Sequence, residues 1–193
     1  MLKLLTNPFE RILEKKLLLF GLLTLIIGAV IGFSFKGRYD GVLDVHFVDE
    51  IQIYTPILDI VISVLCVTML LFALGSFINK KTRFIDILIT AIIAKVPFYF
   101  LPLFNFKNGL SIATKKILQS LSTNTKPALN SVEITLLAAS SLLSLIALVW
   151  SIILLYNGFK TATNAKVTKH NLYFAIALIV SEILSRTIIY LIH

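Results

Sequence analysis

Charge is scarce in this chain, and negative charge scarcer still. Asp and Glu number 10 among 193 residues, against 18 Lys and Arg. A soluble fold of this length carries roughly a quarter charged residues to cover its surface. Here the share is 15%, which excludes an ordinary water-soluble domain. Cysteine is nearly absent. The single Cys66 rules out an intramolecular disulfide and lies in an apolar run, where a lone thiol acts as a small hydrophobe. Catalytic signatures are missing too. There is no H-E-x-x-H, no G-x-S-x-G, no P-loop and no Rossmann glycine pattern. His170 and His193 have no evident partner. No catalytic residue is assigned and no cofactor is expected.

What is present is apolar. Hydrophobic residues make up 58% of the chain, and the mean hydropathy is +0.92. Five runs have the roughly 20 apolar residues needed to cross a bilayer core: 17–35, 56–78, 84–104, 132–156 and 172–192. Barrel-type alternation is absent, so the spans are helices. The expected fold is all-α: a polytopic bundle of five transmembrane helices spanning 17–193, preceded by a cytosolic or interfacial segment, 1–16. The first run is too long for a cleaved signal, and Glu10 and Glu14 precede it, so a retained anchor is expected.

Orientation follows the basic residues. With the N-terminus inside, ten Lys and Arg fall in inner segments (Lys3, Arg11, Lys15, Lys16, Lys80, Lys81, Arg83, Lys160, Lys166, Lys169) and six in outer ones (Lys36, Arg38, Lys107, Lys115, Lys116, Lys126). The N-terminus is therefore expected in the cytoplasm and His193 outside. A net charge of +8 distributed between apolar runs points to membrane orientation and anionic lipid, not to nucleic acid. The stretch NPFERILEKK, 7–16, has a cap at Asn7, Pro8 at a first helical position, and Phe9, Ile12, Leu13 and Lys16 at helical spacing. It reads as a short helix on the inner surface, or simply as a cytosolic leader. Leu110, Ala113, Ile117, Leu118 and Leu121 give residues 110–121 a similar surface-lying pattern on the outer side.

Small residues let membrane helices approach. Gly28 and Gly32 form G-x-x-x-G in the first span; Ser140 and Ser144, with Ala147 and Ser151, line the fourth; Ala177, Ser181 and Ser185 line the fifth. Packing within one bundle, or self-association through Gly28 and Gly32, would use them. Pro97 and Pro102 should kink the third span and free the carbonyls of Ile93 and Phe98. Four charges lie within spans and more than two residues from either end: Asp59, Lys95, Glu182 and Arg186. Such charges are costly in lipid and are expected to pair. The depths suggest a polar cluster, with Lys95 meeting Glu182, and Arg186 shared between Glu182 and Asp59. It serves as a structural clamp or as a relay. In the first outer connector, KGRYDGVLDVHFVDE, Asp44 and His46 are two apart and would share a strand face. They are the only metal candidates, but their spacing matches no established zinc or calcium pattern, and a solvated loop without metal is expected.

The run VWSIILLYNGFKTATNAK, 149–166, with AKVP at 94–97 and DGVLDVH at 40–46, resembles the Yip family of five-span membrane proteins that interact with Rab-type GTPases. The resemblance implies five spans and a cytosolic N-terminus, and roles in partner binding and membrane shaping. It is closest to bacterial members, which would place the chain in the cytoplasmic membrane. Only about sixteen residues precede the first span, without the long N-terminal region of eukaryotic members, so GTPase binding is not expected. The expected partners are the bilayer and a membrane protein or a second copy of the chain. The function read from the sequence is a non-enzymatic membrane protein that binds partners or organises lipid. The alternative is a small transporter or channel using Lys95 and Glu182.

Overall fold

A computed structural model describes residues 2–165, 167 and 169–192. The expected placements of Lys166 and His193 lie outside these residues. A short helix, α1 (Leu2–Thr6), and a 3₁₀ turn (Pro8–Glu10) lead into α2 (Glu14–Ser34). A connector carries a two-residue antiparallel ladder, β1 (Gly37–Arg38) with β2 (His46–Phe47). Then come α3 (Thr55–Ile78), α4 (Phe84–Lys95), a 3₁₀ segment (Val96–Asn108), α5 (Gly109–Thr123), α6 (Ser131–Thr163) and α7 (Lys169–Ile192). Five helical stretches are long and apolar enough to cross a membrane, and α5 continues the third of them.

Local chemistry sets the ends. Asn130 and Glu133 form a reciprocal capping box: the Asn130 side chain accepts from the Glu133 N–H at 2.8 Å, and Glu133 accepts from the Asn130 N–H at 2.9 Å. At the far end Asn164 takes a left-handed φ of 51° and stops the helix. The residues 157–163 that the hydropathy left out thus remain helical. The two prolines act as expected, but through a change of helix type. The chain tightens to 3₁₀ geometry from Val96, and the Val96 N–H donates to the Ile93 carbonyl that Pro97 leaves free. The N-terminal segment differs from the expected helix over 7–16. Asn7 makes no side-chain cap, the turn ends at Glu10, and Leu13 is non-helical at ψ 136°. Contacts with α6 hold it instead: Trp150 Nε1 donates to the Leu5 carbonyl at 2.8 Å, and Asn157 Nδ2 to that of Thr6 at 2.9 Å.

Burying Leu does not join helices in lipid, so close approach decides the packing. A methyl group on Gly28 would meet the Tyr99 ring at 2.4 Å, and one on Gly32 would meet Tyr39 at 2.7 Å. Both glycines therefore pack on aromatic rings of their own chain, which leaves no open G-x-x-x-G face for a second copy. Gly158 lets α6 approach Thr90 of α4 equally closely. On α7, Phe174, Leu178, Ser181, Ser185 and Ile189 are buried, on the helix that packs most extensively against α3. The stripe on α6 divides. Ala147 and Ser151 are buried, whereas Ser140 is half-buried and Ser144 exposed, and the buried residues of α6 all lie from Ala147 onward. On α5, Leu110 and Ala113 are buried while Leu118 and Leu121 are exposed. Its lysines carry local partners: Lys115 pairs with Asp49 at 2.5 Å and Lys116 with Glu133 at 2.6 Å.

Candidate functional site: a connector docked on intramembrane charges

The first connector is not a loose loop. Lys36 turns the chain at the end of α2 with φ 56°, and the Val48 N–H closes onto its carbonyl at 3.1 Å. The β1–β2 ladder sets Arg38 opposite His46. Between the strands the chain dips into the bundle. Tyr39 is fully buried; its hydroxyl donates to the Gly28 carbonyl at 2.9 Å, and its ring meets the edge of Tyr99 with centroids 5.6 Å apart. Val42 is buried beside it.

Each intramembrane charge meets this connector or its neighbour. Lys95, 3% exposed, donates from Nζ to the carbonyls of Gly41 and, at 3.1 Å, of Val42. Its ammonium also lies 5.4 Å from the centre of the Phe98 ring. Glu182 accepts from the Leu43 N–H at 2.8 Å through Oε2, and from Arg186 Nε at 2.7 Å through Oε1. Arg186 also donates to Asp44 Oδ2 at 2.6 Å. Asp59, wholly buried, takes a bidentate pair from Arg38 at 2.9 Å on each oxygen. Three consecutive connector residues, Gly41, Val42 and Leu43, are thus gripped from α4 and α7, while Arg38 is fastened to α3. A side chain at Gly41 would clash, since its Cβ would stand 2.3 Å from Glu182 Oε1.

Two expected pairings are corrected. Lys95 makes its hydrogen bonds to connector carbonyls and meets the Glu182 charge only through space, and Asp59 is met by Arg38, with Arg186 turned to Asp44. Glu182 and Arg186 do pair, one helical turn apart. The missed partners, Arg38 and the carbonyls of 41 and 42, carry no signal in hydropathy. A main-chain carbonyl is the same at every residue, and only the absence of a side chain at Gly41 hints at close approach.

Outside the spans the charges are tuned by their pairs. His46 Nδ1 and Asp40 Oδ1 are 2.9 Å apart. That hydrogen bond, against partial burial, lifts the imidazole above its ordinary 6.5. Burial raises the Asp40 carboxyl, but the His46 hydrogen bond and charge outweigh it and hold it below the usual range. The hydrogen bond to Asp59 raises Arg38, and burial raises the Tyr39 phenol. Asp40, Asp44 and His46 each bring one potential ligand atom within 4.8 Å of the others. Each of them already has one partner, Asp40 with His46 and Asp44 with Arg186, which accounts for their proximity without an ion. Asp44 lies outside β2, so the shared strand face expected of Asp44 and His46 does not form; Asp40 is the residue that meets the imidazole.

Beneath the connector, Lys95 borders a void of only about 10 Å³ with Val42, Ser63, Ala94 and Ser151. That is close to the space of a single water. Compared with known protein families, residues 2–185 match the Yip1 domain. Neither the curated proteins nor the solved structures give a match.

Proposed function

The chain belongs to the Yip1 domain family, and from that membership and the docked connector we propose that it is a non-enzymatic membrane scaffold, whose buried charges serve the fold and whose outer surfaces bind partners or organise the bilayer. The family is one of non-catalytic membrane proteins. The observation that carries the reading is the commitment of Lys95 and Glu182 to main-chain groups of residues 41–43. A relay needs groups free to exchange partners, and here both hold main-chain groups of the connector. In this reading the N-terminus lies in the cytoplasm and the connector with α5 outside, in the cytoplasmic membrane of a bacterial cell. The cluster of Asp40, Asp44 and His46 works without metal in this reading.

The test is reconstitution of the wild type, Lys95→Met and Glu182→Gln in proteoliposomes. The scaffold reading expects a lowered Tm in both variants and proton or solute flux at the level of empty vesicles in all three. Flux that depends on Glu182 would overturn it in favour of a transporter. Chemical cross-linking in native membranes then identifies what the scaffold holds.

A further inference from the structure

On the side of the bundle opposite the connector lies a cavity of about 230 Å³. It is formed where α2 and α4 begin and α6 ends, closed on one side by Phe9 and Ile12 of the N-terminal segment. Its floor is apolar, from Leu17 and Ile89, and its rim is charged. Arg83 fastens the rim: it contacts Glu14, and it holds Asp86 bidentately at 2.5 and 2.9 Å. One guanidinium against two carboxylates leaves the rim with a net negative charge. That is unusual on this face, where Lys15, Lys16, Lys80, Lys81 and Lys160 are exposed nearby in the sequence. The hydroxyl of Thr161, also on the rim, donates to the Asn157 carbonyl and keeps its oxygen free to accept.

We propose that this cavity binds the headgroup of a zwitterionic phospholipid that carries a primary ammonium, of the phosphatidylethanolamine type. The ends of membrane helices lie in the headgroup layer, so the cavity opens at the depth where such a group resides. Its volume is below the range of drug-sized pockets, about 300–1,000 Å³, and suits a small headgroup. An ammonium offers N–H donors to the Glu14 and Asp86 carboxylates and to Thr161. Phosphatidylcholine has the same charges but no N–H to donate. An anionic headgroup such as phosphatidylglycerol offers hydroxyl donors but no cation to meet the two carboxylates. The apolar wall of Phe9 and Ile12 covers the glycerol end. The site stands whether the protein acts as a scaffold or as a transporter.

The experiment is delipidated protein in mild detergent, titrated with dioleoyl phosphatidylethanolamine, phosphatidylcholine or phosphatidylglycerol. The readouts are Tm, relative to each variant's own lipid-free value, and lipid retained in native mass spectrometry. The expected result is one retained phosphatidylethanolamine, bound at least about tenfold more tightly than phosphatidylcholine, the scale of one or two charge-assisted hydrogen bonds. Glu14→Gln with Asp86→Asn removes the preference. Ala162→Leu, which fills the cavity from its wall and leaves the charges in place, removes it too. Equal response to all three lipids overturns the proposal, as does a preference that survives both variants. Free phosphoethanolamine acting as strongly as the lipid would assign the site to a soluble ligand instead. Binding of a lysine-rich peptide without response to phosphatidylethanolamine would assign it to a basic protein partner.

Discussion

Arg38 and Asp59 form the most buried ion pair among the described residues, with Asp59 wholly enclosed. Removing one partner of such a pair leaves a charge without its compensation, at a cost of about 3–5 kcal/mol. Arg38→Met is therefore expected to lower stability by that order in denaturant-titrated unfolding, and Arg38→Met with Asp59→Leu to recover much of it. A double variant no better than the single would show that the pair is not the source. Gly41 is sensitive for a different reason. A methyl group there meets the Glu182 carboxylate, so Gly41→Ala should cost about 1–3 kcal/mol, the usual penalty of overpacking, and lower Tm; an unchanged Tm would contradict the close fit. At this scale the sequence was only half legible. Asp59, Lys95, Glu182 and Arg186 stand out because charge is rare in an apolar run. Their partners do not, because the carbonyls of 41 and 42 have no side-chain signature and Arg38 reads as one more basic residue in a loop.

The connector is the element in which these residues act together. Its docking has a pH dependence with a definite sign. The His46 pKa is raised in the fold, so the stability it lends is present at low pH and is lost as pH rises through that raised value. The Asp40 pKa is lowered, so its share is present above the ordinary carboxyl range and lost as pH falls through the lowered value. The pair therefore supports the connector in the window between the two, with Arg38, Asp44 and Arg186 as the neighbouring charges. Limited proteolysis within residues 36–54 should accelerate as pH rises above the His46 range, and His46→Gln should flatten that rise. An identical profile in the variant would remove the pair from the account. Because the spacing of Asp44 and His46 matches no established zinc or calcium pattern, chelation should leave Tm unchanged, and a drop on chelation would reveal a bound ion. The kink of the third span was readable because its chemistry is local, in the proline at 97. The N-terminal segment was not, because side chains of α6, distant in sequence, hold it.

For the whole molecule, composition and hydropathy were enough to show five spans and a helical bundle, since a bilayer admits few alternatives. How the spans pack was less visible. The small residues of α2 and α7 mark real contacts, yet Ser144 on α6 is exposed, because small residues allow close approach without requiring it. The central claim is that intramembrane charges hold an outer connector in place, and amide hydrogen exchange at Leu43 tests it most directly. In the wild type in lipid nanodiscs, that N–H is bonded to Glu182 and should exchange slowly. In Glu182→Gln and Lys95→Met it should exchange faster, together with its neighbours in the connector, while amides in the middle of α3 stay protected. If Leu43 exchanges as slowly in both variants as in the wild type, the connector does not depend on these charges and the clamp is refuted.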